Sequence, residues 1–204
     1  MNGKTARLPA IQQALGAQWQ RLHPAVRRHY DICADGIARL QLSGTMYEVD
    51  HASCIKPLMW IGWLFGALVP YRGRNLPVAV INTARPGRST LFWERLFYFP
   101  GKEPIRFVSR MENGKDHEII EYVRANLGIR MALSERDGAL CYTSLGYRWD
   151  LGPLKLHLPD WLLLGKATIL ERGLDERTIE LSFDIHHPVF GRTFTYSGSF
   201  VLEE

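Results

Sequence analysis

No apolar run in this chain is long enough to cross a bilayer. The longest apolar stretch, PLMWIGWLFGALV from Pro57 to Val69, carries no charge; Lys56 precedes it and Arg72 follows, and the charge-free length falls well short of the roughly 20 residues a membrane span needs. The opening MNGKTARLPAIQQ lacks the continuous apolar core of a secretory signal. Cysteine is scarce: Cys33, Cys54 and Cys141 are three, an odd number without metal-type spacing, which reads as reduced thiols in the cytoplasm. A cytosolic membrane face stays open as a surface to meet. No glycine-rich loop precedes a helix, so a nucleotide site is not supported. No strong charge excess is present either, with 25 basic against 21 acidic residues and a net charge of +4. The densest basic stretch, Arg72, Arg74, Arg85 and Arg88, is split by the apolar and β-branched Leu76 to Thr83, and a nucleic-acid footprint needs a more concentrated stripe. No helical pattern follows the last apolar strand, which weighs against folds that close an antiparallel sheet with a long C-terminal helix.

What is there is an ordinary globular composition, 46% apolar and 23% charged over 204 residues, sufficient for one domain with a sizeable core. Residues 1–7 read as a flexible basic tail and residues 8–204 as that domain. Ile11, Leu15, Trp19 and Leu22 recur at three- and four-residue steps, predicting an amphipathic helix over Pro9 to Leu22. Pro24 opens a second short helix through Tyr30, with His23 and His29 near its ends as capping or surface residues. The Pro57 to Val69 segment is apolar on every side of a helical projection. A helix of that kind is expected to be buried, here as the element around which a curved antiparallel sheet closes. Ser53 is placed to cap its start.

From Gly36 to Asp50 the pattern alternates with period two, the mark of a strand, and Gly44 inside it suggests a bulge or a sharp bend. Leu76 to Thr83, Ser89 to Phe99, Pro104 to Met111, His117 to Val123, Leu127 to Glu135 and Ala139 to Trp149 follow as strands. They are separated by turn signals that include Arg85-Pro86-Gly87-Arg88, Pro100-Gly101, Asn113-Gly114 and Asp137-Gly138. The last two are type I′ hairpin signatures. Leu154 to Leu164 is irregular because of Pro159, and Lys166 to Arg172, Thr178 to His187 and Arg192 to Leu202 complete the sheet. The fold class is therefore mainly β (α+β): a curved antiparallel sheet, closed as a calycin-like barrel or open as a half-barrel, with N-terminal helices and one buried apolar helix.

Short motifs in a fixed order resemble a bacterial family, domain of unknown function 4166. They are Phe92-Trp93-Glu94-Arg95-Leu96-Phe97, Phe107-Val108-Ser109, Leu158-Pro159-Asp160-Trp161-Leu162, His187-Pro188-Val189-Phe190-Gly191 and Tyr196-Ser197-Gly198. Leu15-Gly16, Trp19, Leu22, Pro24 and Val26-Arg27 are similar to that family's opening. The resemblance spans nearly the whole chain and implies a stand-alone member of a family also found joined to an NAD-binding reductase-like domain. A reductase-like partner follows as an expectation, and no activity or catalytic residue does.

Period two also assigns faces. Leu91, Trp93, Arg95 and Phe97 share one side, and Phe92, Glu94, Leu96 and Tyr98 share the other, which would lie against the N-terminal helices. Ile179, Leu181, Phe183, Ile185 and His187 face inward, as do Phe194, Tyr196, Gly198, Phe200 and Leu202, with Arg192 beginning that row. The inward polar set is Arg95, Ser109, Glu121, His187, Arg192 and Tyr196. A charge on an apolar face needs a partner, so Arg95 and Glu121 are expected to find one, each other included. Arg95 is also expected to stack on Trp93 or Trp161. Three uses fit this pattern. The first is a cup binding a hydrophobic or amphipathic small molecule, lined by Trp60, Trp63, Trp93, Trp161 and the inward polar set, with the apolar helix as plug or lid. The second is a small enzyme acting on a lipid-like or polyketide-like substrate through Glu121, His187 or Tyr196. The third is an interaction domain whose apolar helix docks on a reductase-like partner or a membrane surface. No metal site and no cofactor are expected, because His186 and His187 are adjacent on a strand and point to opposite faces.

Overall fold

The structure is a computed structural model that describes residues 8–32, 38–64, 66, 69–84, 90–115 and 117–203. The expected tail, Cys33, the Arg85 to Arg88 turn and part of the Pro57 to Val69 segment lie outside the described residues. Three short helices, α1 (Ala10–Leu15), α2 (Pro24–Tyr30) and α3 (Lys56–Leu64), accompany eleven strands. These are β1 (Arg39–His51), β2 (Gly73–Ala84), β3 (Leu91–Phe97), β4 (Ile105–Asn113), β5 (Glu118–Tyr122), β6 (Leu127–Arg136), β7 (Ala139–Leu151), β8 (Leu154–Leu158), β9 (Lys166–Gly173), β10 (Thr178–His187) and β11 (Gly191–Leu202). The strand order is β6-β5-β4-β3-β2-β1-β11-β10-β9-β7-β8, and an additional β6–β7 pairing joins the two ends into a closed ten-stranded antiparallel barrel. The closed form of the sequence expectation therefore holds. β8 hangs from the far half of β7, whose near half pairs with β9.

Closure needs strong local twist, and bulges supply it. The registers shift at Met46/Glu48 in β1, at Ile185/His186 opposite β11, and at Ile129/Met131 between β6 and β7. Gly44 is not one of these bulges, because its pairing with Phe200 is in register. Its role is close approach: a Cβ there would run into the Ser199 carbonyl oxygen, and one on Gly198 into Thr45 across the same β1–β11 seam. Asp137 and Gly138 have φ of 50° and 80° and join β6 to β7 directly, as a type I′ turn requires. Asn113-Gly114 is different. Four residues separate β4 from β5, and the Gly114 amide bonds the Glu118 carbonyl at 2.8 Å.

The predicted stripe Ile11, Leu15, Trp19 and Leu22 is buried throughout, although the helix tightens to 3-10 geometry over Gly16–Arg21. With α2, this segment closes one end of the barrel and does not cover the outer face of β3. His29 and Tyr30 of α2 lie 6.1 Å and 5.8 Å from the ring of Trp93, an inward residue. His29 is therefore buried and not a surface residue, while His23 does cap α2, its Nδ1 accepting from the Ala25 amide at 3.3 Å. Leu154 to Leu158 is a strand, with the irregular part confined to a 3-10 turn at Asp160–Leu162.

The largest correction concerns α3. Its buried side chain is Met59, whereas Trp60, Trp63 and Leu64 are 41%, 45% and 69% exposed. The helix lies across the open end of the barrel instead of inside it. Its apolarity on both sides has two separate causes: the inner side roofs the interior, and the outer side faces away from the molecule. Ser53 does not cap it. Its hydroxyl accepts from Arg72 at 3.0 Å in the 3-10 turn that precedes α3. Among the described residues no helix is long and apolar enough to cross a membrane.

Candidate functional site

Three neighbouring strands build a polar cluster on the barrel's inner wall. Trp93 of β3 stands opposite Ser109 of β4, and Met111 of β4 stands opposite Glu121 of β5. Arg95, Ser109 and Glu121 are thus related by diagonal steps of two residues, about 7–8 Å between backbones, which long side chains span. Arg95 donates to Glu121 Oε1 through both terminal nitrogens at 3.1 Å, and the Ser109 hydroxyl donates to the same oxygen at 2.6 Å. The expected pair forms, with the two side chains only 12% and 11% exposed. The Arg95 guanidinium also lies 4.2 Å from the Trp93 ring centroid and 5.1 Å from that of Phe107. Trp93 is therefore the stacking partner and Trp161 is not. Burial works against the charge of Arg95, but Glu121, with Tyr196 and Tyr30 adding, raises the guanidinium pKa on balance.

Above this cluster lies a cavity of about 310 Å³. Phe107, Val123, Ile129 and Met131 form one wall, Ile169, Phe183, Ile185 and Phe194 the facing one, and Leu58, Ile61 and Gly62 of α3 the roof. Its polar groups include Arg95, Glu121 and Tyr196. Tyr196 comes from β11 and packs against Phe183 at 4.8 Å. Burial pushes its hydroxyl up to about 12, Arg95 opposing and Glu121 and Glu171 adding, so at neutral pH it is a protonated donor. Neither the Tyr196 hydroxyl nor Glu121 Oε2 has a hydrogen-bond partner among the described residues.

Arg95, Phe97 and Tyr196 also border a second space of about 30 Å³ on the side of α2. Beyond it lies a buried network that sequence reasoning missed. Tyr142 donates to the Tyr30 hydroxyl at 2.7 Å, Tyr30 lies 2.7 Å and 2.8 Å from the two Glu171 oxygens, and His29 Nδ1 is 3.4 Å from Glu171 Oε2. Burial raises both tyrosines well above their ordinary pKa. Period two places Glu171 in phase with Ala167 and Ile169, and Tyr142 in phase with Leu140, so both were findable. Tyr30 was not, because a helix end acquires an inward direction only from its docking.

The remaining predicted site residues sit elsewhere. Trp60 and Trp63 are on the outer face of α3, with ring centroids 5.7 Å apart, edge to face. Trp93 borders the smaller space and not the main cavity. Trp161 is 60% exposed. Arg192 is exposed because the bulge at Thr193 turns it outward and sends the Thr193 side chain in, where its hydroxyl donates to the Leu164 carbonyl at 2.6 Å. His187 is buried as expected but lines no part of the cavity. Its Nε2 bonds the Trp161 carbonyl at 2.7 Å, and its Nδ1 accepts the Val189 amide at 3.1 Å and the Phe190 amide at 3.3 Å. Both ring nitrogens are committed to holding loops, so His187 does not join Glu121 as a base. Among the described residues no three His, Cys, Asp or Glu side chains converge as a metal site requires.

Among curated proteins none matches this chain. The family model described as Domain of unknown function (DUF4166) matches residues 22–200, from the end of the first helical segment to the last strand. This span contains the polar cluster, the roof and all of the barrel but the last two residues of β11. The ordered aromatic and turn motifs therefore belong to one continuous fold, and the chain is a member of the DUF4166 family.

Proposed function

We propose that the barrel binds a neutral, mostly apolar small molecule that carries a hydroxyl group. The single observation behind this reading is the cavity of about 310 Å³ with apolar walls and a floor where Glu121 Oε2 and the Tyr196 hydroxyl have no hydrogen-bond partner among the described residues. Apolar pockets of this size with a few placed polar groups suit small ligands. Charge decides which polar end fits. Arg95 is matched by Glu121 at 3.1 Å, so the floor offers no free cation to a carboxylate, whereas a hydroxyl donates to Glu121 and accepts from Tyr196. The roof helix α3, carrying Leu58 and Ile61, covers the apolar body.

Displacement of the neutral fluorophore N-phenyl-1-naphthylamine from the full chain tests this. Decan-1-ol is expected to displace it, decanoate about tenfold or more weakly, a difference of at least 1.4 kcal/mol. Tyr196→Phe should weaken the alcohol and leave the melting temperature nearly unchanged. Equal or stronger displacement by decanoate, or none by either, would overturn the reading. An enzyme acting through Glu121, His187 and Tyr196 lacks comparable support, since the nitrogens of His187 are occupied.

A further inference from the structure

In an antiparallel barrel the connections fall into two sets, one at each end. The N-terminal helices cover one end. At the other lie the connections that follow β1, β3, β5, β7 and β10, together with the 3-10 turn after β8. Among the described residues, most of the exposed large apolar side chains belong to this second end. On α3 they are Trp60, Trp63 and Leu64, beside Ile61 on the cavity side. On the neighbouring connections they include Trp161 and Leu162, and Val189 and Phe190, which are 77% and 54% exposed. These side chains come from separate connections that share nothing but their position at the barrel mouth. Scattered surface apolar residues are ordinary, but a concentration on one end marks a binding surface.

Charge at this end is one-sided. Asp50, Glu48 and Asp150 are each paired, with Arg72, Arg74 and Arg148. Lys56, Lys102, Arg124 and Arg192 have no carboxylate partner among the described residues, and against them stand Glu103 and Asp160, the latter in the field of Lys166. The cations are interleaved with the aromatics: one outer groove is lined by Trp63, Tyr71, Lys102, Arg106 and Arg124, and Lys102 Nζ lies 4.4 Å from the Tyr71 ring centroid. Tryptophan favours the headgroup level of a bilayer. An apolar helix face rimmed by basic residues lies in the plane of an anionic interface.

We propose that the α3 end of the barrel docks on an anionic lipid surface, with Trp60, Trp63, Trp161 and Phe190 in the headgroup region and Lys102 and Arg124 against the phosphates. This stands on the outer surface and not on the cavity, so it holds or fails separately from the ligand reading. Docking in this pose puts the roof of an apolar cavity against the apolar phase.

Flotation of the full chain with vesicles tests the proposal. The protein is expected to float with vesicles of phosphatidylcholine mixed with phosphatidylglycerol, to stay behind with phosphatidylcholine alone, and to detach as salt rises. Its tryptophan emission should shift to the blue on binding. Lys102→Glu with Arg124→Glu should weaken the partition by about fivefold or more for each cation lost. Trp60→Ser with Trp63→Ser should remove both flotation and the blue shift. Val189→Asp with Phe190→Ser, on a different connection, gives an independent test should the α3 variant fail to melt cooperatively. Absence of flotation with anionic vesicles would overturn the proposal, as would equal flotation with neutral ones or variants that float like the parent. Self-association through these residues without flotation would assign the face to a second copy and overturn it too.

Discussion

Replacing Arg95 by methionine keeps the length and much of the volume of the side chain and removes its charge. Glu121 Oε1 then loses both guanidinium bonds and keeps only the Ser109 hydroxyl at 2.6 Å. Removing one partner of a buried ion pair costs about 3–5 kcal/mol. Glu121 borders a cavity and its second oxygen has no partner among the described residues, so water relieves part of the penalty and the lower end, about 3 kcal/mol, applies. The lost stacking on Trp93 at 4.2 Å is offset in part by methionine packing on the same ring. In a chain of this size each kcal/mol moves the melting temperature by roughly 2–4 °C, giving a fall of roughly 6–12 °C. Thermal melts followed by circular dichroism at pH 7 read it directly. Adding Glu121→Gln should restore most of the loss, because removing both members of a buried pair is often close to neutral. A single variant within about 2 °C of the parent, or a double variant that sums the two losses, would refute the burial argument.

Two more expectations follow from the same geometry. Gly44→Ala drives a methyl group into the Ser199 carbonyl across the β1–β11 seam; backbone cannot yield as a side chain end does, so a loss of about 3 kcal/mol is expected, and an unchanged urea midpoint would contradict it. Asp150 is held below the ordinary carboxylate range: burial opposes its charge, but hydrogen bonds from Arg148 at 2.7 Å and Tyr122 at 2.8 Å outweigh it. With a depressed folded pKa, the unfolded chain takes the proton first as pH falls. The contribution is therefore full above about pH 4 and disappears as pH falls through the folded value. Asp150→Asn should be less stable at pH 7 and should lose less on acidification. Parallel acid limbs for variant and parent would sink this assignment.

The inward row of β10 was readable because a strand buried on one face must alternate, and Ile179, Leu181, Ile185 and His187 are all buried. The same rule put Arg95, Ser109 and Glu121 on one face, and the cost of an isolated buried charge required a partner for Arg95. Asp137-Gly138 was readable because few residues accept positive φ at both central positions of a hairpin. Arg192 was misread for the converse reason: a bulge adds one residue and reverses the phase, and nothing in the residues around Thr193 marks it.

By itself, then, the sequence determined the antiparallel strands, the faces they present, the capped and striped N-terminal helices, and the Arg95–Glu121 pair. These depend on local periodicity and on the cost of burying charge. Only the tertiary structure decided that the sheet closes through β6 and β7, that Tyr30 meets Glu171 and Tyr142 inside, and that α3 lies as a roof across the barrel end with Met59 alone of its side chains fully buried. Hydrophobicity states that a surface leaves water and does not state what covers it. For α3 the inner side is covered by the barrel, and its outer side is left bare by the described residues.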